Sequence, residues 1–127
     1  MSPFPQRGSE LGSGTVLAMA LGLVVIMATA VIVLLSQSAV TAYRAAAAAD
    51  LAALAAADAA RGITAGEPCA VAEAVARRNG ARMLSCSEGA GSTVLVRTEL
   101  SAGNSLGVAT GQARAGPPRD PAAGPYR

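Results

Sequence analysis

The chain has 127 residues, a net charge of +2, ten arginines as its only basic side chains, and no histidine. So weak and scattered a positive charge, with nothing aromatic interleaved, excludes nucleic acid as a partner of the usual electrostatic kind. Without His or Lys there is no common general base, imidazole metal ligand or Schiff-base amine, which argues against an enzyme, a small-molecule substrate or a bound cofactor.

Residues 1–14 form a short polar leader, rich in Gly and Pro, expected to be disordered and carrying Arg7 and Glu10. An unbroken apolar run follows from Val16 to Leu35, and no charge lies between Glu10 and Arg44. Twenty helical residues span about 30 Å, the hydrocarbon thickness of a bilayer. Twelve of the run's residues are Val, Leu or Ile. At roughly −0.3 to −0.6 kcal/mol each they contribute about −4 to −7 kcal/mol toward insertion. A transmembrane helix over 15–35 is the expectation. The alternative is a cleaved signal sequence, with Val40, Thr41 and Ala42 as a small-residue cleavage site. The apolar run is longer than the usual signal core of about 7–15 residues.

Nothing ends the helix at Leu35. Ser36, Gln37, Ser38 and Thr41 are polar without breaking a helix, and the next glycine after Gly22 is Gly62. One helix from Gly14 to Arg61 would hold about 48 residues and reach about 72 Å, with its alanine-rich half, 36–61, outside the lipid. In that half Tyr43, Arg44, Asp50, Leu51, Leu54, Asp58 and Arg61 share one stripe about 120° wide. Every other position from Ala45 to Ala60 is alanine. Ala45, Ala48, Ala52, Ala56 and Ala59 therefore run along a smooth opposite face. Two readings stand. The face packs against partner helices, which small residues allow to approach closely, or it reflects alanine drift in a GC-rich genome.

Gly62 to Pro68 is a break, and a small domain over 62–115 follows it. With one Phe, two Tyr and no Trp in the chain, its core must be thin. Cys69 to Asn79 reads as a short helix, with Pro68 in its first turn and Gly80 after its end. Ala81–Ser87 and Thr93–Leu100 read as strands joined by the turn Glu88–Ser92. In the second, Leu95, Arg97 and Glu99 alternate with Val94, Val96, Thr98 and Leu100, so one face is buried. Ser101 to Arg114 is ambiguous, with Gly103, Gly107 and Gly111 spaced four apart. Residues 116–127 are Pro/Gly-rich and expected to be a disordered tail. The fold class is thus membrane-anchored α+β, a long helix followed by helix–strand–strand.

Cys69 and Cys86 are the only cysteines. A helix climbing about 15 Å from Cys69 and a strand returning about 20 Å to Cys86 bring the two sulfurs near each other. A bridge would contribute about 3 kcal/mol and requires an oxidising compartment, which places the C-terminal domain outside the cytoplasm. Two buried free thiols are the alternative. No zinc site is expected, because two Cys without His leave the shell unfilled. Flanking charge barely discriminates between orientations, with Arg7 on one side of the span and Arg44 and Arg61 on the other.

The arrangement resembles the TadE-like family, pilin-like components of the tight-adherence (Flp pilus) secretion system, and within it an actinobacterial subgroup named for its helicase and secretion gene neighbourhood. The resembling residues are Gly12 to Leu17 (GSGTVL), Arg44, Ala47 to Ala56 (AAADLAALAA), Cys69, Asn79 to Ala81, Cys86, Val94 to Val96 and Ala113 to Pro117 (ARAGP). The resemblance implies a single-pass protein of the cell membrane with its N-terminus cytoplasmic and its C-terminal domain extracytoplasmic. It implies partners among other pilin-like and Tad secretion membrane proteins, in addition to the bilayer itself. Gly12 and Ser13 would be the processing site. The glutamate that many relatives carry five residues past that glycine is Leu17 here, which points to an accessory or minor subunit. The leading expectation is a non-enzymatic pilin-like assembly protein. The alternatives are a small secreted or surface binding domain and a membrane-anchored regulator of a secretion ATPase.

Overall fold

The computed structural model describes residues 11–103 and 107–118. In chain order it comprises helices α1 (Leu11–Ala60) and α2 (Pro68–Arg78), then strands β1 (Arg82–Gly89), β2 (Thr93–Ser101) and β3 (Val108–Ala115). The chain is α+β. It divides into two compact units, Met1–Gln37 and Ser38–Arg127, and α1 contributes to both.

In the first unit, α1 is apolar all round, and Val16, Leu17, Met19, Leu21, Leu23 and Ile26 are all exposed. Its hydroxyls are satisfied within the helix: Thr15 donates to Gly12 O at 3.0 Å, Thr29 to Ile26 O at 2.8 Å and Ser36 to Val33 O at 2.8 Å. Such back-bonding removes the cost of a bare hydroxyl in an apolar surrounding. Among the described residues this is the one helix long and apolar enough to cross a membrane. The helix begins at Leu11, so the last four residues of the expected disordered leader are helical. The rest of that leader lies outside the described residues.

In the second unit, both helices end in the same way. Ile63 N–H donates to Asp58 O and Gly62 N–H to Ala59 O, with Gly62 at φ 76°. Ala81 N–H donates to Ala76 O and Gly80 N–H to Arg77 O, with Gly80 at φ 72°. These are Schellman closures, in which a glycine takes the left-handed conformation that a β-carbon disfavours. They turn the chain sharply out of each helix.

The sheet is antiparallel in the order β1–β2–β3. The predicted helix–strand–strand unit is therefore corrected to helix–strand–strand–strand. The third strand lies in the stretch that glycine spacing left ambiguous. Its pattern is Ala109, Gly111, Ala113 and Ala115 alternating with Thr110, Gln112 and Arg114. That is a period of two built from small residues instead of β-branched ones. In β2 the expected alternation is present, with Val94, Val96 and Thr98 fully buried. The register of β1 shifts between Met83 and Ser85. Met83 and Cys86, an odd number of positions apart, would otherwise point to opposite faces. The bulge lets Met83 pair with Thr98 and Cys86 with Val96, so both reach the core side. The sheet continues past the predicted end of β1 to Gly89, leaving only Ala90–Ser92 as the turn. Residues 116–118 of the expected disordered tail are described as irregular chain after β3, and the remainder lies outside the described residues.

Candidate functional site

The site begins with a core made almost entirely of alanine. Ala49, Ala52, Ala53, Ala56 and Ala57 of α1 cluster with Ala72 and Ala76 of α2, Val94 and Val96 of β2, and Ala113 and Ala115 of β3. Alanine is both the best helix former and the smallest side chain that can fill a seam, so helix and sheet approach closely. Where they come nearest, the Thr98 hydroxyl donates to the Ala45 carbonyl at 2.8 Å in a buried hydrogen bond. Gly111, the cross-strand partner of Thr98, lies directly over Ala45. A β-carbon there would collide with the Ala45 carbonyl and the Ala46 nitrogen, so only glycine fits.

This geometry corrects the predicted docking face. Ala45, Ala48, Ala52, Ala56 and Ala59 are each at most 8% exposed, within this chain alone. The smooth face is a packing face, as the segregation of larger residues suggested, but its own sheet and α2 cover it. It offers no surface to a partner helix. The open face of this half of α1 is the textured stripe. Tyr43 is 77% exposed, and Leu51, Leu54 and Val40 are exposed beside it. On the same stripe Arg61 pairs with Asp58 at 2.6 Å.

The cystine lies at the other side of the sheet's core face, where α2 meets β1. Cys69 and Cys86 form a disulfide with their Cα atoms 5.8 Å apart, and no free cysteine remains. The bridge joins the first turn of α2 to the middle of β1 across a sequence separation of 17. Glu67 caps α2, accepting from Cys69 N–H at 3.2 Å and Ala70 N–H at 2.8 Å. These amide donors, Ala70 first, hold its carboxyl below the ordinary carboxylate range, because they stabilise the charged form. Glu88, two residues beyond Cys86 on the same face of β1, brings a second carboxylate. Ligand atoms of Glu67, Cys69 and Glu88 all lie within 4.8 Å of one another.

The sequence pattern puts Thr98 on the alternating face of β2, Gly111 in a glycine repeat and Glu88 at a turn, but it assigns no role to any of them or to Glu67. The signal for the two glutamates is their spacing from the cysteines, Glu67-x-Cys69 and Cys86-x-Glu88, which the fold brings together. Gly12 and Ser13, the processing pair that the family resemblance implies, lie in the first turn of α1, with open space around Gly12. Comparison with known protein families, with curated proteins and with solved structures gave no match.

Proposed function

We propose that the chain is a non-enzymatic, pilin-like membrane protein of a tight-adherence type secretion or pilus-assembly apparatus. The first half of α1 anchors it, its N-terminus is cytoplasmic, and the cystine-stapled domain is extracytoplasmic. The observation that carries this reading is the exposed apolar half of α1 running without a break into the helix on which a small domain folds. A surface so uniformly apolar requires lipid or protein around it. The cystine favours an oxidising compartment for the domain. The TadE-like resemblance of the GSGTVL and AAADLAALAA segments supplies the class of apparatus, and Leu17 in place of an acidic residue favours an accessory subunit. With the alanine face occupied, the surface left for partners is the stripe through Tyr43, Leu51 and Leu54.

The test expresses the full chain in a bacterial host with this type of apparatus, fractionates the membranes and measures the intact mass. Expected are a carbonate-resistant membrane protein, a protease-accessible domain on intact spheroplasts, and recovery of pilin-like partners by mild-detergent pull-down. Loss of residues 1–12 marks processing at Gly12. Loss of residues 1–42 with release of a soluble domain would overturn the anchored reading in favour of an exported binding domain. Recovery of a secretion ATPase alone would favour the regulator.

A further inference from the structure

We propose, resting on the anchored reading of α1, that one end of the second unit binds anionic lipid headgroups through Arg44, Arg77, Arg78 and Arg82. Contacts within that unit distinguish its two ends. Ser38 opens the unit, and soon after it Ala45 O accepts the buried hydrogen bond from the Thr98 hydroxyl. Val94 and Val96, earlier in β2, cluster instead with the later alanines of α1, so β2 runs back toward the Ser38 end. Met83 faces Thr98 and Arg82 faces Glu99, so β1 starts at that end as well. Ala81 N–H donates to Ala76 O and holds the last turn of α2, with Arg77 and Arg78, at the same end.

All four arginines are exposed. Of the four, Arg82 alone is in an ion pair among the described residues, with Glu99 at 2.6 Å. The other acids of the unit lie elsewhere, Asp58, Glu67 and Glu88 at the far end and Asp50 and Glu73 between. Arg77 and Arg78 also complement the negative end of α2. The carbonyls there already accept, however: Val75 O from the Asn79 side chain at 2.9 Å, Ala76 O from Ala81 N–H at 2.9 Å and Arg77 O from Gly80 N–H at 3.0 Å. Their guanidiniums are left to groups outside the chain. A guanidinium takes two phosphate oxygens through parallel N–H donors. Val40 on α1 and Val108, which faces Ser101, are exposed at this end and set apolar side chains beside the basic ones, as interfacial surfaces do. The chain enters this end from the apolar run that stops at Leu35, so lipid phosphate is the anion nearest along the chain.

The experiment places the full chain in nanodiscs of phosphatidylcholine, alone or enriched in phosphatidylglycerol. Phenylglyoxal then modifies its arginines, and peptide mass spectrometry reads the rate at each. Arg97 and Arg114, exposed on β2 and β3, serve as internal references. Expected is modification of Arg77 and Arg78 at least about fivefold slower in the anionic discs, roughly the effect of one basic charge at an anionic surface. High salt should abolish the difference, and the references should not move. In the double variant Arg77→Gln, Arg78→Gln, the slowing at Arg44 and Arg82 should shrink. Equal rates in both lipids overturn the proposal and leave these arginines to an acidic protein partner. Equal slowing of every arginine also overturns it, as does slowing at Arg44 and Arg82 that the variant leaves intact. Should the variant lose its circular dichroism signal, the wild-type comparison decides by itself. Carbonate washing of vesicles of the same lipids separates this face from the anchored reading. A chain that stays with the lipid while its arginines ignore lipid charge sinks the headgroup face alone, whereas a chain washed off sinks both.

Discussion

Two residues decide how closely α1 lies on the sheet. Gly111 has no β-carbon to strike the Ala45 carbonyl, and Thr98, opposite it across the ladder, donates a buried hydrogen bond to that same oxygen. Gly111→Val should therefore destabilise the domain by about 3 kcal/mol or more, because neither the helix backbone nor the strand can yield cheaply. A denaturant midpoint measured on the full chain checks this. Glu67 supports a pH prediction. Its carboxyl is lowered in the folded chain by the Ala70 and Cys69 amides. The stability it contributes is thus fully present above the ordinary carboxylate range and is lost as pH falls through the lowered value. Wild type should lose more stability on acidification than Glu67→Gln, and equal slopes of midpoint against pH would rule out the cap as the source.

At the scale of the element, α1 carries two faces with opposite duties in its second half. Leu substituted at Ala52 or Ala56 forces a larger side chain into a filled seam, and each should cost about 1–3 kcal/mol. Alanine substituted at Leu51 or Leu54 removes exposed side chains and should leave stability within about 0.5 kcal/mol. Under the proposed function the outcomes separate cleanly: the leucine variants lower the melting temperature of the domain, whereas the alanine variants leave it unchanged and lose partner recovery. Melting curves run beside pull-downs read both. Strand β1 shows the same economy, since one bulge brings Met83 and Cys86 to a single face.

At the scale of the whole molecule, the second unit is a thin domain. Its largest fully buried side chains are Val94, Val96 and Thr98, and alanine supplies most of the rest. Such a core leaves little apolar area to offset chain entropy, so the cystine matters more than it would in a larger domain. Replacing both cysteines by serine should cost about 3 kcal/mol, the loop-closure value for a bridge of this span. The change should appear in thermal unfolding of the domain with little change in membrane partition, because the apolar half of α1 makes no use of the bridge.

Several features were legible from residue order because they arise from local physics. The unbroken apolar run, the uninterrupted alanine helix, the glycine stops at Gly62 and Gly80, the alternation of β2 and the nearness of Cys69 to Cys86 each follow from spacing along the chain, whereas the bond between the two sulfurs is shown by the structure. Strand β3 was harder to read. Glycine and alanine carry weak strand propensity, and its small residues make sense only once a helix lies against them. Periodicity placed the alanines of α1 on one face but did not say what covers that face. A partner helix and the chain's own sheet demand the same small side chains. Only the tertiary structure, by bringing Gly111 and Thr98 onto Ala45, decided that the sheet takes that face and leaves the stripe of Tyr43, Leu51 and Leu54 open.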